Sequence, residues 1–254
     1  MSGVDSLAVS ERDGAVVVAD EICRWRARPE VPKPFVVGLG GSVAVGKSTL
    51  AAAVADRLAS AMTSEATVVG TDGFLFPNAE LMARDLLDRK GEPDTYDDVA
   101  LLAFVADVRR GRTVIPVPTY SHRTFDVNPP VPVTVGELVI VEGVNALQPA
   151  LVDAYDFAIY LDADETVIET WFAERFLGLV AAAENDDASF YRRFVSQSPK
   201  ERRTTAAWVW STINGPNLRR FVYPTKSAAD LVVHVDGDHQ VTGVARPRVR
   251  PGRW

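Results

Sequence analysis

The residues best suited to chemistry form one uninterrupted motif, because residues 41–48 match the pattern G-x-x-x-x-G-K-[S/T] in full. Glycines at such positions let the backbone turn and point several N–H groups at phosphate oxygens, while the helix that follows adds its positive dipole end. The Lys47 ammonium can reach the β- and γ-phosphates of a nucleotide, and the Ser48 hydroxyl can hold Mg²⁺. The motif predicts a phosphate-binding loop rather than a Gly-rich turn without function, and it comprises Gly41, Ser42, Val43, Ala44, Val45, Gly46, Lys47 and Ser48.

Two carboxylates end predicted strands, Asp72 after residues 67–69 and Glu142 after residues 138–141. In an open parallel sheet, ligands bind beyond the carboxyl ends of the strands. One carboxylate is needed there to orient or deprotonate an attacking hydroxyl, and a second commonly holds Mg²⁺ directly or through water. We assign the first role to Asp72 and the second to Glu142, with loop-capping acids as the alternative. Asp162 also ends a strand, but a helix start follows it, which favours a structural role.

Three cationic or titratable side chains are candidates for the charge that a transferring phosphoryl group requires. Arg175 lies on a predicted helix, where pairing with a glutamate one turn away is an equal alternative. Lys90 follows Arg89 in a polar loop, where a solvated charge pair is the alternative. His122 follows Tyr120-Ser121, and a structural histidine remains the alternative to a ligand-binding one.

The elements that must position these residues alternate between strand and helix, which indicates an α/β fold with a parallel central sheet and helices on both faces. Strands are predicted over residues 35–39, 67–69, 114–117, 138–141, 157–161 and 231–235. Helices are predicted over residues 50–62, 79–87, 98–110 and 164–183, with two more helical patterns up to residue 213. The helix over 98–110 should bury Val99, Leu102 and Ala106 on one face.

The segments outside this core are predicted to be a lid, a loop and two ends. Residues 74–97 are polar and rich in turn formers, which is typical of a lid, and Pro129, Pro130 and Pro132 indicate an exposed loop. Residues 1–30 should form a helical extension starting at Ser6 or Ser10, and residues 246–254 a mobile tail.

Composition limits the classes of function. A chain of 254 residues fits one domain, and its formal net charge of −7 argues against general nucleic-acid binding. One cysteine, Cys23, excludes an internal disulfide and fits a reducing cytoplasm. No apolar run approaches the roughly 18 residues of a membrane span, and residues 1–20, which are acidic and lack a basic start, are not expected to be a signal peptide. We therefore expect a cytoplasmic protein.

Taken together, the motifs resemble the bacterial type I pantothenate kinases, within the wider phosphoribulokinase and uridine kinase group. They occur in family order and cover about residues 34 to 240. The stretches are residues 41–49, Thr71-Asp72-Gly73-Phe74-Leu75, Pro77-Asn78, Arg89-Lys90-Gly91, Tyr96-Asp97, Tyr120-Ser121-His122, Glu142-Gly143-Val144-Asn145, Trp171 with Arg175-Phe176, Ile213-Asn214, Asn217-Leu218 and Pro224-Thr225.

This resemblance implies a dimeric P-loop kinase that uses ATP and Mg²⁺ to make 4′-phosphopantothenate, the first step toward coenzyme A. It implies that Lys47, Ser48 and Thr49 bind the ATP phosphates and Mg²⁺, that Asp72 is the catalytic base, that Glu142 assists the metal and that Arg175 stabilises the transferring phosphate. The residues implied to contact or line the pantothenate pocket are His122, Asn217, Tyr120, Phe125 and Phe172.

The chain also departs from this family. Members usually have tyrosines at the positions of Phe125 and Phe172 in this chain. They usually have a phenylalanine where this chain has Glu92, and an aromatic residue where it has Leu179. Each lost hydroxyl predicts a pocket that holds pantothenate more loosely. Members also have an arginine at the position of Ala52, and that arginine binds the feedback inhibitor coenzyme A. Because this chain lacks it, we expect coenzyme A to inhibit only weakly.

Other functions remain as alternatives. The nearest is a related kinase that acts on a nucleoside, a sugar or a specialised metabolite. A nucleotide switch is disfavoured because the sequence contains no Asn-Lys-x-Asp motif. A binding protein without catalysis is disfavoured because Lys47, Asp72 and Glu142 are all present.

Overall fold

The computed structural model describes residues 14–28, 33–61 and 65–247. The strands in these residues are β1 (Phe35–Gly41), β2 (Ala66–Gly70), β3 (Val114–Ser121), β4 (Asp126–Thr134), β5 (Leu138–Glu142), β6 (Phe157–Asp162), β7 (Leu231–Val235) and β8 (Val241–Ala245). The helices are α1 (Gly14–Arg26), α2 (Lys47–Ala61), α3 (Asn78–Ala83), α4 (Asp98–Arg109), α5 (Glu165–Ala182), α6 (Pro199–Val209) and α7 (Gly215–Asn217).

A six-stranded sheet forms the centre of the fold, in the order β2-β5-β1-β6-β7-β8. All neighbouring strands are parallel except β7 and β8, which are antiparallel. Every residue of β1 is buried, and its apolar run is typical of a strand that is covered on both faces. The predicted α/β class with a parallel sheet flanked by helices is therefore confirmed.

A second sheet contains β3 and β4, which form an antiparallel hairpin outside the central sheet. The prediction of an exposed loop at Pro129, Pro130 and Pro132 was wrong, because all three lie in β4. Prolines are tolerated there because β4 is an exposed edge strand of a two-stranded ribbon and does not need every backbone donor.

Helix α4 has the predicted position but buries a different face. Its buried residues are Leu101, Phe104, Val105 and Val108, whereas Val99 is 78% exposed. Leu102 and Ala106 are only partly buried. The larger apolar side chains of Leu101 and Phe104 lie in the core instead, so the buried stripe is not the one that the pattern predicted. Asp97 is the N-cap of α4, since its carboxylate accepts a hydrogen bond from Ala100 N.

The two ends of the chain are described only in part. Helix α1 covers the second half of the predicted N-terminal helix, and its predicted start lies outside the described residues. The predicted tail also lies outside them, apart from residues 246 and 247. The antiparallel strand β8 was not predicted. No described helix combines the length and the apolar character that crossing a membrane requires.

Candidate active site

The phosphate-binding motif forms the connection between β1 and α2, at the carboxyl edge of the sheet. Its backbone has positive φ angles of 145° at Gly41, 63° at Ala44 and 97° at Gly46. A Cβ at Gly41 would stand 2.5 Å from Leu161 O of the neighbouring strand β6, so this position requires glycine. The sequence therefore forms the compact turn that the motif predicted.

Lys47 lies inside the loop, with 7% of its surface exposed, and its Nζ donates a hydrogen bond to Ser42 O at 2.7 Å. Burial lowers the pKa of Lys47, while the charges of Glu142 and Asp72 partly oppose that effect. The Ser42 hydroxyl is also buried and has no hydrogen-bond partner among the described residues. The loop thus holds polar groups suited to a ligand that accepts hydrogen bonds.

The Ser48 hydroxyl, in the first turn of α2, donates to Glu142 Oε1 at 2.8 Å. Glu142 is the last residue of β5, and it lies in register with Leu39 of β1 on one side and Gly70 of β2 on the other. The two residues that the sequence proposed for a metal are therefore in direct contact. A hydroxyl and a carboxylate oxygen are ligands that Mg²⁺ prefers.

Asp72 lies beside this pair, in the 3₁₀ turn Thr71–Phe74 that directly follows β2. Because β2 and β5 are parallel neighbours in register, Asp72 and Glu142 emerge at the same edge of the sheet. Asp72 Oδ1 accepts a hydrogen bond from the Tyr96 hydroxyl at 3.2 Å. The predicted meeting of the two carboxylates at this edge follows from this register.

Arg175 of α5 reaches across to the loop between β3 and β4, where its Nη2 lies 2.9 Å from His122 Nε2. A guanidinium can only donate, so His122 Nε2 must be the acceptor and carry no proton. Burial lowers the pKa of His122, and the Arg175 charge lowers it further. The structure thus joins a cation and a neutral imidazole that the sequence proposed separately.

Aromatic rings line the space beside His122. Tyr120 packs edge-on against His122 with centroids 5.1 Å apart, and Phe125 stacks on Phe190 at 4.3 Å. Lys90 Nζ lies 4.9 Å from the Tyr120 centroid and 4.5 Å from that of Phe125. Burial lowers the pKa of Lys90 to about 8.

The predicted lid, residues 74–97, contains α3 and two 3₁₀ turns, Leu87–Arg89 and Pro93–Thr95. Hydrogen bonds attach it to Phe125 and to Asn217 of α7. Lys90 Nζ donates to Asn78 Oδ1 at 2.6 Å and to Phe125 O at 2.7 Å, and Asn217 Nδ2 donates to Gly91 O at 2.8 Å.

Two residues predicted to contact or line the pocket, Asn217 and Phe172, have surroundings that differ from those of His122, Tyr120 and Phe125. Asn217 presents a buried Oδ1 that has no hydrogen-bond partner in the described part of the chain, so it retains an acceptor. Phe172 lies on α5 one turn before Arg175, and its ring packs at 5.8 Å from Trp210 and against the main core. The structure therefore places Phe172 partly in the core rather than wholly in a pocket.

Sequence reasoning missed one feature next to the phosphate loop. The Trp171 and His239 rings stack with centroids 3.8 Å apart and planes at 13°, and His239 Nδ1 is 3.6 Å from where a Cβ of Gly46 would stand. Trp171 Nε1 also donates to Gly237 O at 3.3 Å. His239 lies in the turn before the unpredicted strand β8, so no local pattern connected it to the loop.

Asp162, for which the sequence favoured a structural role, lies between the side chains of Lys226 and His234. Its Oδ2 is 2.5 Å from Lys226 Nζ and 2.8 Å from His234 Nδ1. These contacts join the end of β6 to β7 and to the turn before it, which is an arrangement that a structural carboxylate would have.

Comparison with known proteins gives close relatives over most of the chain. A pantothenate kinase of Nocardioides sp. (strain ATCC BAA-499 / JS614) is 46% identical over 222 residues, which cover 82% of this chain and 68% of that protein. A pantothenate kinase of Sorangium cellulosum (strain So ce56) is 44% identical over 227 residues, which cover 85% of this chain and 74% of that protein.

The fold is shared with solved kinases. A D-glycerate 3-kinase from Cryptococcus neoformans superposes with a TM-score of 0.62 at 16% identity, covering 91% of this chain and 96% of that one. At this level of identity the similarity concerns the fold alone. No protein-family model matches the chain.

Proposed function

The chain belongs to the pantothenate kinase family, and we propose that it transfers the γ-phosphoryl group of ATP to the 4′-hydroxyl of pantothenate. It is an ATP-dependent kinase. The observation that carries the proposal is the meeting of the phosphate loop, Asp72 and the Arg175–His122 pair at one edge of the sheet, in a chain at least 40% identical to pantothenate kinases over most of its length.

ATP would place its phosphates in the loop, against the backbone N–H groups and the N-terminus of α2. The buried Ser42 hydroxyl without a partner and the inward-facing Lys47 ammonium both suit phosphate oxygens. The stacked pair of Trp171 and His239 beside Gly46 offers an aromatic surface at the mouth of the loop, which suits the purine base. These features support ATP as the phosphoryl donor.

The residues at the loop also fit Mg²⁺. Ser48 Oγ and Glu142 Oε1 lie 2.8 Å apart. The described residues contain no group of three or more His, Cys, Asp or Glu that could hold a metal ion. Mg²⁺ in phosphoryl-transfer enzymes typically has one or two protein ligands, with water and substrate phosphates completing its shell. When bound, it would neutralise charge on the β- and γ-phosphates.

Transfer itself requires a base on one side of the γ-phosphate and positive charge around it. Asp72 would take the proton from the acceptor hydroxyl as the hydroxyl oxygen bonds to the γ-phosphorus and ADP leaves. Lys47 and Arg175 would offset the negative charge on the equatorial oxygens. The contact between Arg175 and His122 also fixes both side chains at the place where the acceptor would lie.

The acceptor would occupy the space between His122, Asn217 and the aromatic rings of Tyr120 and Phe125. Asn217 offers an amide oxygen without a partner, which suits a donor group of the acceptor. The proton-free Nε2 of His122 requires that Nδ1 carry the proton, so Nδ1 can donate to an acceptor oxygen. Both suit pantothenate, which has hydroxyl, amide and carboxylate groups.

The proposal is tested by measuring ADP release with pantothenate, nucleosides and sugars as separate acceptors. We expect release with pantothenate well above the background hydrolysis of ATP. Because Phe125 and Phe172 supply no hydroxyl, Phe125→Tyr and Phe172→Tyr should lower the KM for pantothenate. Background turnover with pantothenate in all three proteins, together with turnover of a nucleoside or a sugar, would replace pantothenate with that acceptor.

We further propose that the kinase acts as a homodimer in the cytoplasm. The dimer rests on the resemblance to type I pantothenate kinases, and the compartment rests on the single cysteine, which fits a reducing environment. Sedimentation analysis should give a mass of two chains, and a monomer at micromolar concentration would contradict the first part.

A further inference from the structure

Tyr96 is buried next to Asp72 and is not explained by core packing alone. Its side chain is 6% exposed, and its hydroxyl donates to Asp72 Oδ1 at 3.2 Å. A buried hydroxyl needs a hydrogen-bond partner, and Tyr96 uses the Asp72 carboxylate rather than a backbone carbonyl. The contact therefore joins a lid residue directly to the group proposed to take the proton.

The backbone around Tyr96 is attached to the turn that carries Asp72. Tyr96 forms an isolated antiparallel bridge with Leu75, and on either side of it Phe76 N donates to Thr95 O at 2.9 Å and Asp97 N to Phe74 O at 2.7 Å. Asp97 in turn caps α4. Tyr96 and Asp72 are thus fixed relative to each other by backbone hydrogen bonds.

Several other titratable groups act on Asp72 from the elements around it. Lys47 of the phosphate loop, Lys90 of the lid, and Tyr120 and His122 of the hairpin region all interact electrostatically with Asp72. Of these five groups, Tyr96 is the one that donates a hydrogen bond to Asp72. The two lysines set the local charge, whereas Tyr96 can set the direction of the carboxylate.

We propose that Tyr96 is a positioning residue for the proton transfer, holding Asp72 by Oδ1 so that Oδ2 faces the hydroxyl of the acceptor. This rests on the proposed function of Asp72. In the transfer, the proton of the acceptor hydroxyl moves to Asp72 Oδ2 while the oxygen bonds to the γ-phosphorus. Tyr96 keeps its own proton throughout, since burial and the neighbouring Asp72 charge raise its pKa well above the usual range.

Positioning by one hydrogen bond predicts a defined kinetic effect. Tyr96→Phe keeps the buried ring and removes only the hydroxyl, so Asp72 can rotate away from its productive orientation. A hydrogen bond to a charged group of this kind corresponds to about a 10-fold change in kcat. The KM for ATP should not change, because the hydroxyl that is removed bonds to Asp72 and not to the phosphate loop.

The test is a double-mutant cycle in the full-length chain, using wild type, Tyr96→Phe, Asp72→Asn and the double variant. ADP release is measured with whichever acceptor the wild type phosphorylates. We expect Tyr96→Phe to lower kcat about 10-fold in the wild type and by less than about twofold in the Asp72→Asn background, since effects through one group do not add. Tyr160→Phe, which removes a buried hydroxyl on β6, is the matched control and should leave kcat unchanged.

The outcomes separate this inference from the proposed function. An active wild type with equal losses in both backgrounds would mean that Tyr96 acts by general packing, and no loss in either would mean that it does not orient Asp72. Either result overturns the inference and leaves the kinase assignment in place. A wild type inactive with every acceptor would overturn both.

Discussion

Gly143 follows Glu142 at the end of β5, and its substitution by alanine should damage both the fold and the site. A Cβ at Gly143 would overlap Thr71 Oγ1 and stand 2.8 Å from Thr71 Cβ. Rotation of the Thr71 side chain can move its oxygen but cannot move its Cβ. Thr71 is also completely buried, so it has no free space to enter.

The cost of Gly143→Ala follows from this overlap. Inserting a methyl group into a packed site costs about 1–3 kcal/mol, and a clash that no rotamer relieves belongs at the upper end of that range. For a chain of this size, about 3 kcal/mol lowers Tm by roughly 6–12 °C. Thr71 precedes Asp72, so its displacement should also move the proposed base and lower kcat.

The measurement is thermal unfolding together with ADP release, and the chain offers a matched control. Gly178 lies within α5, and among the described residues no atom beyond its chain neighbours and the backbone of its own helix lies within 4 Å of where a Cβ would stand. Gly178→Ala should therefore raise stability by about 0.5–1 kcal/mol, because glycine is unfavourable inside a helix. If Gly143→Ala melted within about 1 °C of wild type and kept full turnover, the overlap with Thr71 would not be real.

The remaining predictions concern charge. Lys47→Ala should lower kcat by about 100-fold or more without lowering Tm, and near-normal turnover would exclude the loop as the site. Burial lowers the pKa of Lys90 in the folded chain to about 8, against an ordinary 10.5, so folding disfavours its charged form. Tm should therefore rise as the pH is raised from about 8 to 10.5, and Lys90→Met should remove that rise. Coenzyme A should inhibit weakly, and Ala52→Arg should tighten it about 10-fold or more, unlike Ala53→Arg.

The parts of the fold predicted from sequence are those fixed by neighbours along the chain. The phosphate loop is determined by its own glycines, and the buried strands β1, β5 and β6 by short apolar runs. Because parallel strands end at one edge, the sequence also predicted that Asp72 and Glu142 would lie there together. Each strand end was predicted from residues only a few positions apart, and the meeting of the two carboxylates then follows from the parallel pairing of the strands.

The parts that sequence missed depend on contacts between distant segments. Strand β8 is short and partly exposed, so its pattern is weak, and without it His239 could not be placed beside Gly46. The contact of Tyr96 with Asp72 depends on how the lid folds back onto the turn after β2. The prolines of β4 gave a misleading signal because an edge strand tolerates them.

Asp72 and Glu142 leave neighbouring strands in register, and the residues that hold them account for their different proposed roles. Glu142 is bonded by Ser48 of α2, so it is fixed to the element that would hold the nucleotide. Asp72 is bonded by Tyr96, so it is fixed to the lid that would cover the acceptor. A base attached to the lid is oriented only when the segment around Tyr96 is in place. Proton transfer would then depend on the hydrogen bonds that hold this segment against the turn that carries Asp72.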